Sequence, residues 1–243
     1  MMLLLIWIYP FLLAALAVVA EHQPVEQVVI SPSNSHSLDS DVPDVYKVQH
    51  ELEKADIFPT VIDKFLPSLL LDADWPSGEK AELGNTVLVE KVQDEPAIIA
   101  HRSPGRSDMD GDNSNMAYTI TITDPDAPSR DNPEWSEFCH FIATGIKLSS
   151  TPGSSTSAVH LSVLENIIDY KPPGPPPKTG KHRYVFLLFA PANGTTDPLH
   201  LTKPKDRKHW GTGKQRHGVR DWAEENGLKP VAANFIYAQN EEQ

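Results

Sequence analysis

Two acids and two histidines stand at the ends of short apolar runs. Asp124-Pro125-Asp126-Ala127-Pro128-Ser129-Arg130 follows an alternating run over 118–122, and His182-Arg183-Tyr184-Val185-Phe186 opens another. Between them lie Trp135-Ser136-Glu137-Phe138-Cys139-His140-Phe141 and a proline-rich turn over 171–178 that contains Gly174-Pro175-Pro176-Pro177. Asp124, Asp126, His140, His182 and Tyr184 suit a small polar pocket for an anion with hydroxyl or amine neighbours. Imidazole, phenol and backbone N–H groups donate to phosphate oxygens, while a carboxylate orients a histidine or accepts from the ligand. Trp135, Phe138 and the prolines would wall out water, and glycine at 174 would let the backbone come close to the ligand. Arg183 points to the opposite strand face from His182 and Tyr184, so it falls outside this set.

Other chemistries lack their patterns. There is no Gly-x-Ser-x-Gly elbow, His-Glu-x-x-His helix, phosphate-binding glycine loop or dinucleotide fingerprint. Two aspartates and two histidines could hold a divalent metal, but their spacing matches no metal motif. Asp108-Met109-Asp110-Gly111-Asp112 invites a calcium reading, yet Asn113 stands at the glycine position of such a loop and Thr119 at its closing glutamate. The single cysteine, Cys139, can form no intrachain disulfide and sits in an apolar run, as a buried small hydrophobe does. His140 beside it points to the other strand face, so the two make no thiol–imidazole pair. A non-enzyme without cofactor or metal is expected.

The elements that must position these residues are short. The 243 residues are 40% hydrophobic and 22% charged, an ordinary globular balance, and the net charge of −12 argues against a nucleic-acid partner. Residues 1–20 carry no charged side chain and are apolar around Tyr9-Pro10, which reads as a signal peptide with Glu21 starting the mature chain; an uncleaved anchor is the rival. Residues 21–41, rich in Ser, Asp and Pro, read as a tether, and 42–240 as one domain, expected to be a monomer, with a polar loop insertion over 101–116. A helix capped by Asp41 would bury Val45, Val48, Leu52 and Ala55. Strands are expected over 69–71, 86–89, 118–122, 138–146, 159–164, 184–189 and 231–237, with a second helix from about Lys214 to Glu225 closed by Asn226-Gly227. In the 118–122 run, Tyr118, Ile120 and Ile122 would share one face and Thr119, Thr121 and Thr123 the other. Several short strands with irregular turns suggest an antiparallel sandwich. Asn193-Gly194-Thr195 is a glycosylation sequon in a turn-like context.

In order along the chain, Asp-Pro-Asp-Ala-Pro-Ser-Arg, Cys139-His140-Phe141, Gly174-Pro175-Pro176 and Gly180-Lys181-His182-Arg183-Tyr184-Val185-Phe186 resemble the phosphatidylethanolamine-binding protein family. Asp56-Ile57-Phe58-Pro59, Pro67-Ser68-Leu69-Leu70 and Pro230-Val231-Ala232-Ala233-Asn234-Phe235 extend the likeness to about residues 44–238. The early segment and Val92-Gln93-Asp94-Glu95-Pro96 are similar to fungal carboxypeptidase Y inhibitors within that family. The resemblance implies a mainly β fold, a sandwich of two antiparallel sheets with a few flanking helices. It implies a pocket for a phospholipid headgroup or other phosphate-bearing anion, built from Asp124, Pro128, Trp135, His140, Gly174, Pro175, His182 and Tyr184. Asp126 and Arg130 would brace the loop without touching ligand. Many members have His-His where Cys139-His140 stands and tyrosine where Trp135 stands. A secreted or vacuolar binding protein is one implied function, and inhibition of a serine carboxypeptidase the other. In the inhibitors an N-terminal segment contributes alongside the pocket face, where this chain carries a leader and a Ser-rich tether.

Overall fold

The strand that opens on His182 is buried along its whole length, His182–Pro191. It has no exposed face because the sheet it belongs to is covered on both sides, and its sequence is therefore nearly continuously apolar. The computed structural model describes residues 45–102, 116–148, 156–160 and 163–243, so the segments read as signal peptide and tether and most of the expected 101–116 insertion lie outside the described residues.

In chain order the elements are α1 (Val45–Lys54), β1 (Leu69–Asp74), β2 (Asn85–Leu88), β3 (Ala97–Arg102), β4 (Tyr118–Asp124), β5 (Phe138–Ile146), β6 (Thr156–His160), β7 (Glu165–Ile168), β8 (His182–Pro191), α2 (Val219–Glu225) and β9 (Leu228–Gln239). They form two sheets, a three-stranded one ordered β1-β3-β6 and a six-stranded one ordered β2-β9-β8-β4-β5-β7. The fold is a mainly β sandwich with few helices. All pairings are antiparallel except that of β2 with β9, which is parallel.

Two apolar layers result. Between the sheets, Leu69, Leu71 and Ala73 of β1 and Ile98 and Ala100 of β3 meet Tyr118, Ile120 and Ile122 of β4 and Phe186 and Leu188 of β8. On the outer face of the large sheet, Val45, Val48 and Leu52 of α1 and Val219 and Trp222 of α2 pack with Cys139, Val185, Leu187 and Phe189. The helix stripe expected at Val45, Val48, Leu52 and Ala55 is buried throughout. The β4 alternation also holds: Thr119, Thr121 and Thr123 turn away from the inter-sheet core yet are fully buried under the helical layer. Trp210 Nε1 donates to Thr123 Oγ1 at 3.0 Å, and Thr119 Oγ1 donates to Thr144 Oγ1 at 3.2 Å, whereas Thr121 Oγ1 is buried without a hydrogen-bond partner among the described residues.

Three elements differ from the sequence reading. The second helix starts at Val219, not near Lys214, because Gly213 and Arg216 adopt left-handed φ (73° and 61°) and Gly218 breaks the helical path at ψ −97°. Its closure at Asn226 and Gly227 is as expected, with Asn226 N–H donating to Trp222 O. Strand β3 occupies Ala97–Arg102, where no strand is expected, and its last two residues fall in the expected loop insertion over 101–116. The single strand expected over 159–164 is replaced by β6 and β7 in different sheets.

Candidate functional site

Strands β8, β4 and β5 lie side by side, which brings the end of β4 and the starts of β5 and β8 to one sheet edge. Asp124 closes β4, His140 sits near the start of β5, and His182 and Tyr184 open β8, two residues apart and thus on one face. A bulge aims His140: Thr123 pairs with Cys139 and Ile122 with Phe141, so His140 is the additional residue on its strand. Cys139 packs into the helical layer while His140 turns to the pocket, which separates thiol from imidazole as the sequence implied. Burial pushes the Cys139 thiol well above its ordinary value, so it is no nucleophile.

These side chains line a cavity of about 270 Å³ together with Gln93, Ala127, Pro128, Trp135, Phe138, Lys171, Pro172, Pro173, Gly174 and Pro176. Asp124, His140, His182 and Tyr184 are all buried. Asp124 Oδ2 accepts from His182 Nδ1 at 2.8 Å, and its Oδ1 accepts the Asp126 N–H at 2.8 Å. His182 Nε2 lies 3.0 Å from Thr179 Oγ1, and Thr179 Oγ1 donates to Pro176 O at 2.7 Å. Asp124 and Thr179 thus occupy both ring nitrogens. Neither nitrogen of His182 is then free for a ligand, so this histidine shapes the wall and couples it to the 174–179 rim.

His140 is the histidine with a free nitrogen. Its Nδ1 is 2.7 Å from the Lys171 carbonyl, which can only accept, so Nδ1 carries the proton and Nε2 is left without a protein partner. Burial lowers the His140 pKa from 6.5, opposed by Asp124 and by the bond to the Lys171 carbonyl and reinforced by the charges of Arg207 and Lys171. At neutral pH its Nε2 therefore presents a lone pair. Tyr184 OH accepts the Gly174 N–H at 3.3 Å and keeps its own proton to donate, its pKa held well above 10 by burial and by Asp124. One phenol donor, one imidazole that donates on protonation and a carboxylate edge are what the interior offers.

The sequence-derived set is thus largely gathered in one place, with two exceptions. Pro175 is buried outside the cavity wall, its carbonyl accepting from Asn240 Nδ2 at 3.3 Å. Arg130 is exposed and holds no bond among the described residues. The bracing role belongs to Arg183, the residue set aside as facing away. Its N–H and Nε donate to Asp126 Oδ2 at 2.8 and 2.9 Å, its Nη2 donates to Oδ1 at 2.6 Å, and its Nη1 reaches Ala55 O at 2.7 Å. Facing away is what allows it to tie the β4 loop to the end of α1. A Cβ on Gly174 would meet nothing, so that position opens onto the cavity mouth.

Sequence reasoning also missed Gln93, Lys171, Thr179, Arg207 and Lys208. Gln93 Nε2 donates to Pro173 O at 2.9 Å, and Arg207 Nη1 donates to the carbonyls of Cys139 and His140. The Lys208 ammonium stands 3.9 Å over the Trp135 ring, a cation–π contact at the cavity wall. The Val92–Pro96 motif was a signal for Gln93; Lys171 and Arg207 act through backbone carbonyls, which leave no mark in residue type, and Thr179 and Lys208 act through side chains whose partners, His182 and Trp135, only the fold brings into contact. Asn193 lies in an exposed turn after β8, its Oδ1 accepting from Thr195 N–H.

A two-sheet sandwich with flanking helices and a small buried Asp–His–Tyr pocket at one sheet edge is the plan of a known group of binding proteins. The profile described as phosphatidylethanolamine-binding protein matches residues 73–236, and the chain belongs to that family. It is 34% identical over 189 residues to the carboxypeptidase Y inhibitor of Saccharomyces cerevisiae, covering 72% of this chain and 86% of that protein. It is 32% identical to CEN-like protein 1 of Nicotiana tabacum, covering 80% and 95%. Among solved structures, a carboxypeptidase Y inhibitor complexed with its cognate proteinase matches at a TM-score of 0.72 and 32% identity, over 84% of this chain and 100% of that one. A phosphatidylethanolamine-binding protein from Plasmodium vivax shares the fold at a TM-score of 0.57 and 19% identity, over 82% of this chain and 98% of that one.

Proposed function

We propose that this chain acts by binding rather than by catalysis and that its target is a serine carboxypeptidase, which it inhibits. The observation that carries this reading is the match over the full length of an inhibitor held against its proteinase, at a TM-score of 0.72. The pocket supports a binding role: His182 is locked between Asp124 and Thr179, and the buried Cys139 thiol is inert. The charge-free residues 1–20 and the exposed Asn193 turn support action in the secretory route or vacuole. The test is a progress-curve assay of carboxypeptidase Y against the full chain and against the chain from Glu21. Stoichiometric, nanomolar inhibition by either supports the reading. Undiminished peptidase activity at micromolar concentrations of both removes it.

The cavity itself favours a second, compatible reading, in which it takes a phosphate ester such as a phospholipid headgroup. Tyr184 OH and a protonated His140 would donate to the phosphate oxygens, and Asp124 would accept from an amine or hydroxyl neighbour. Calorimetry with phosphoethanolamine tests it. Binding by the parent that disappears in a folded His140→Ala, Tyr184→Phe variant supports a ligand site; equal heats from both discard it.

A further inference from the structure

The charge of this chain is unevenly distributed. Seven of its 21 Lys and Arg residues but one of its 33 acidic residues fall within 203–220, so this stretch carries +6 in a chain of −12. The stretch is folded back on itself. A Cβ on Gly211 would stand 2.8 Å from Lys205 N, and one on Gly218 would stand 2.5 Å from the Trp210 ring, so 205 lies against 211 and 210 against 218. Trp210 is buried beside Trp222 at 5.4 Å and donates to Thr123, and Arg216 N–H donates to Ser136 O. The basic side chains therefore project from an anchored frame, with the ordering cost of the backbone already met by folding.

They are also largely unspent. Arg207 is engaged by backbone carbonyls and Lys208 by Trp135, while Arg220 lies near Asp63. Lys203, Lys205, Lys214 and Arg216 are exposed, and none holds a salt bridge among the described residues. Through Lys208 on Trp135 this face abuts the cavity without being part of it.

We propose that the 203–220 surface docks an acidic segment of a protein partner. The remainder of the chain carries a strongly negative net charge, so an acidic approaching segment is drawn to this basic stretch in preference, which orients the encounter. Bilayer docking is the less favoured occupant. Interfacial binding joins basic groups to inserting apolar side chains, and the exposed large hydrophobics among the described residues (Tyr46, Leu66, Leu88, Val163) all lie outside this stretch. The inference stands apart from carboxypeptidase inhibition.

Fluorescence anisotropy of a labelled oligoglutamate peptide with the full chain tests it, beside Lys203→Glu/Lys214→Glu and a control, Lys147→Glu/Lys229→Glu, that makes the same charge change on exposed lysines elsewhere. The expected result is binding that weakens at least about tenfold from roughly 50 to 200 mM salt and by about as much again in the first variant, with the control near the parent. Absent binding, or equal losses in both variants, overturns the proposal. So does binding of phosphatidylserine vesicles, lost in the first variant, when the peptide is not bound. Thermal melting of each variant separates a lost surface from a lost fold.

Discussion

The carboxylate of Asp124 and the imidazole of His182 are 58 residues apart in the chain and 2.8 Å apart in space, both almost wholly buried. The other oxygen of the same carboxylate holds the Asp126 N–H, so one side chain closes the loop after β4 and fixes a ring at the start of β8. Asp124→Ala leaves two buried donors without an acceptor. Urea unfolding should show a loss of roughly 2–6 kcal/mol, from about 1–3 kcal/mol per bare buried group. An unchanged midpoint would mean that water or a neighbour replaces the carboxylate.

Asp126 and Arg183 form a second buried pair with three direct bonds. Removing one partner strands the other charge, so Asp126→Ala should cost about 3–5 kcal/mol. The double variant Asp126→Leu/Arg183→Met should cost less than the two single changes summed, because no charge is left buried. Additive losses in a denaturation cycle would argue that Arg183 acts mainly through Ala55 and Asp56.

His140 predicts the pH dependence of anion binding. Burial lowers its pKa, so the free protein holds it neutral at pH 7, whereas an anion facing Nε2 favours the imidazolium. Binding then takes up a proton, and phosphoethanolamine affinity should rise as pH falls from neutral, by at most about tenfold per pH unit. His140→Gln should abolish the dependence. Calorimetry in two buffers of different ionisation enthalpy reads the proton directly, and identical heats would contradict the uptake.

Glu137 predicts the pH dependence of stability. Its side chain is fully buried, with Oε2 accepting from Val219 N–H and Thr123 while Oε1 has no partner, and burial raises its pKa from 4.5 to about 8. Between those values the folded chain keeps a proton that the unfolded chain has released, so this group's contribution to stability is full below pH 4.5 and is lost as pH rises towards 8. Glu137→Gln should flatten that decline in urea midpoints measured at acidic and mildly alkaline pH. A variant as pH-sensitive as the parent would assign the effect elsewhere.

Much of this was legible locally. The period-two run over 118–122 marked which β4 residues enter the inter-sheet core, and the Val45/Val48/Leu52/Ala55 spacing marked the buried face of α1. The second helix was overextended because Lys214–Gly218 has helix-compatible residue types but a backbone held by Trp210 packing against Gly218. β3 was overlooked because Ala97–Arg102 has no period-two alternation of apolar and polar residues, and its strand identity comes from pairing with β1 and β6. At the site, residue type and order brought Asp124, His140, His182 and Tyr184 into one set. They could not reveal that Arg183 rather than Arg130 braces Asp126, or that Pro175 leaves the wall.

The sequence alone determined the family, the mainly β architecture and the side chains gathered around the cavity, because strand periodicity, turn chemistry and motif order are properties of neighbouring residues. Tertiary structure decided how those side chains are used. The bulge at His140, the Lys171 carbonyl on its Nδ1 and the Thr179 hydroxyl on His182 leave His140 with a free ring nitrogen and His182 with none. The path of 203–220, with left-handed φ at His209, Trp210 and Arg216 and close approaches at Gly211 and Gly218, folds a run of basic residues back on itself. Such assignments depend on strand register and on backbone groups far away in the chain, and backbone groups are the same in every residue.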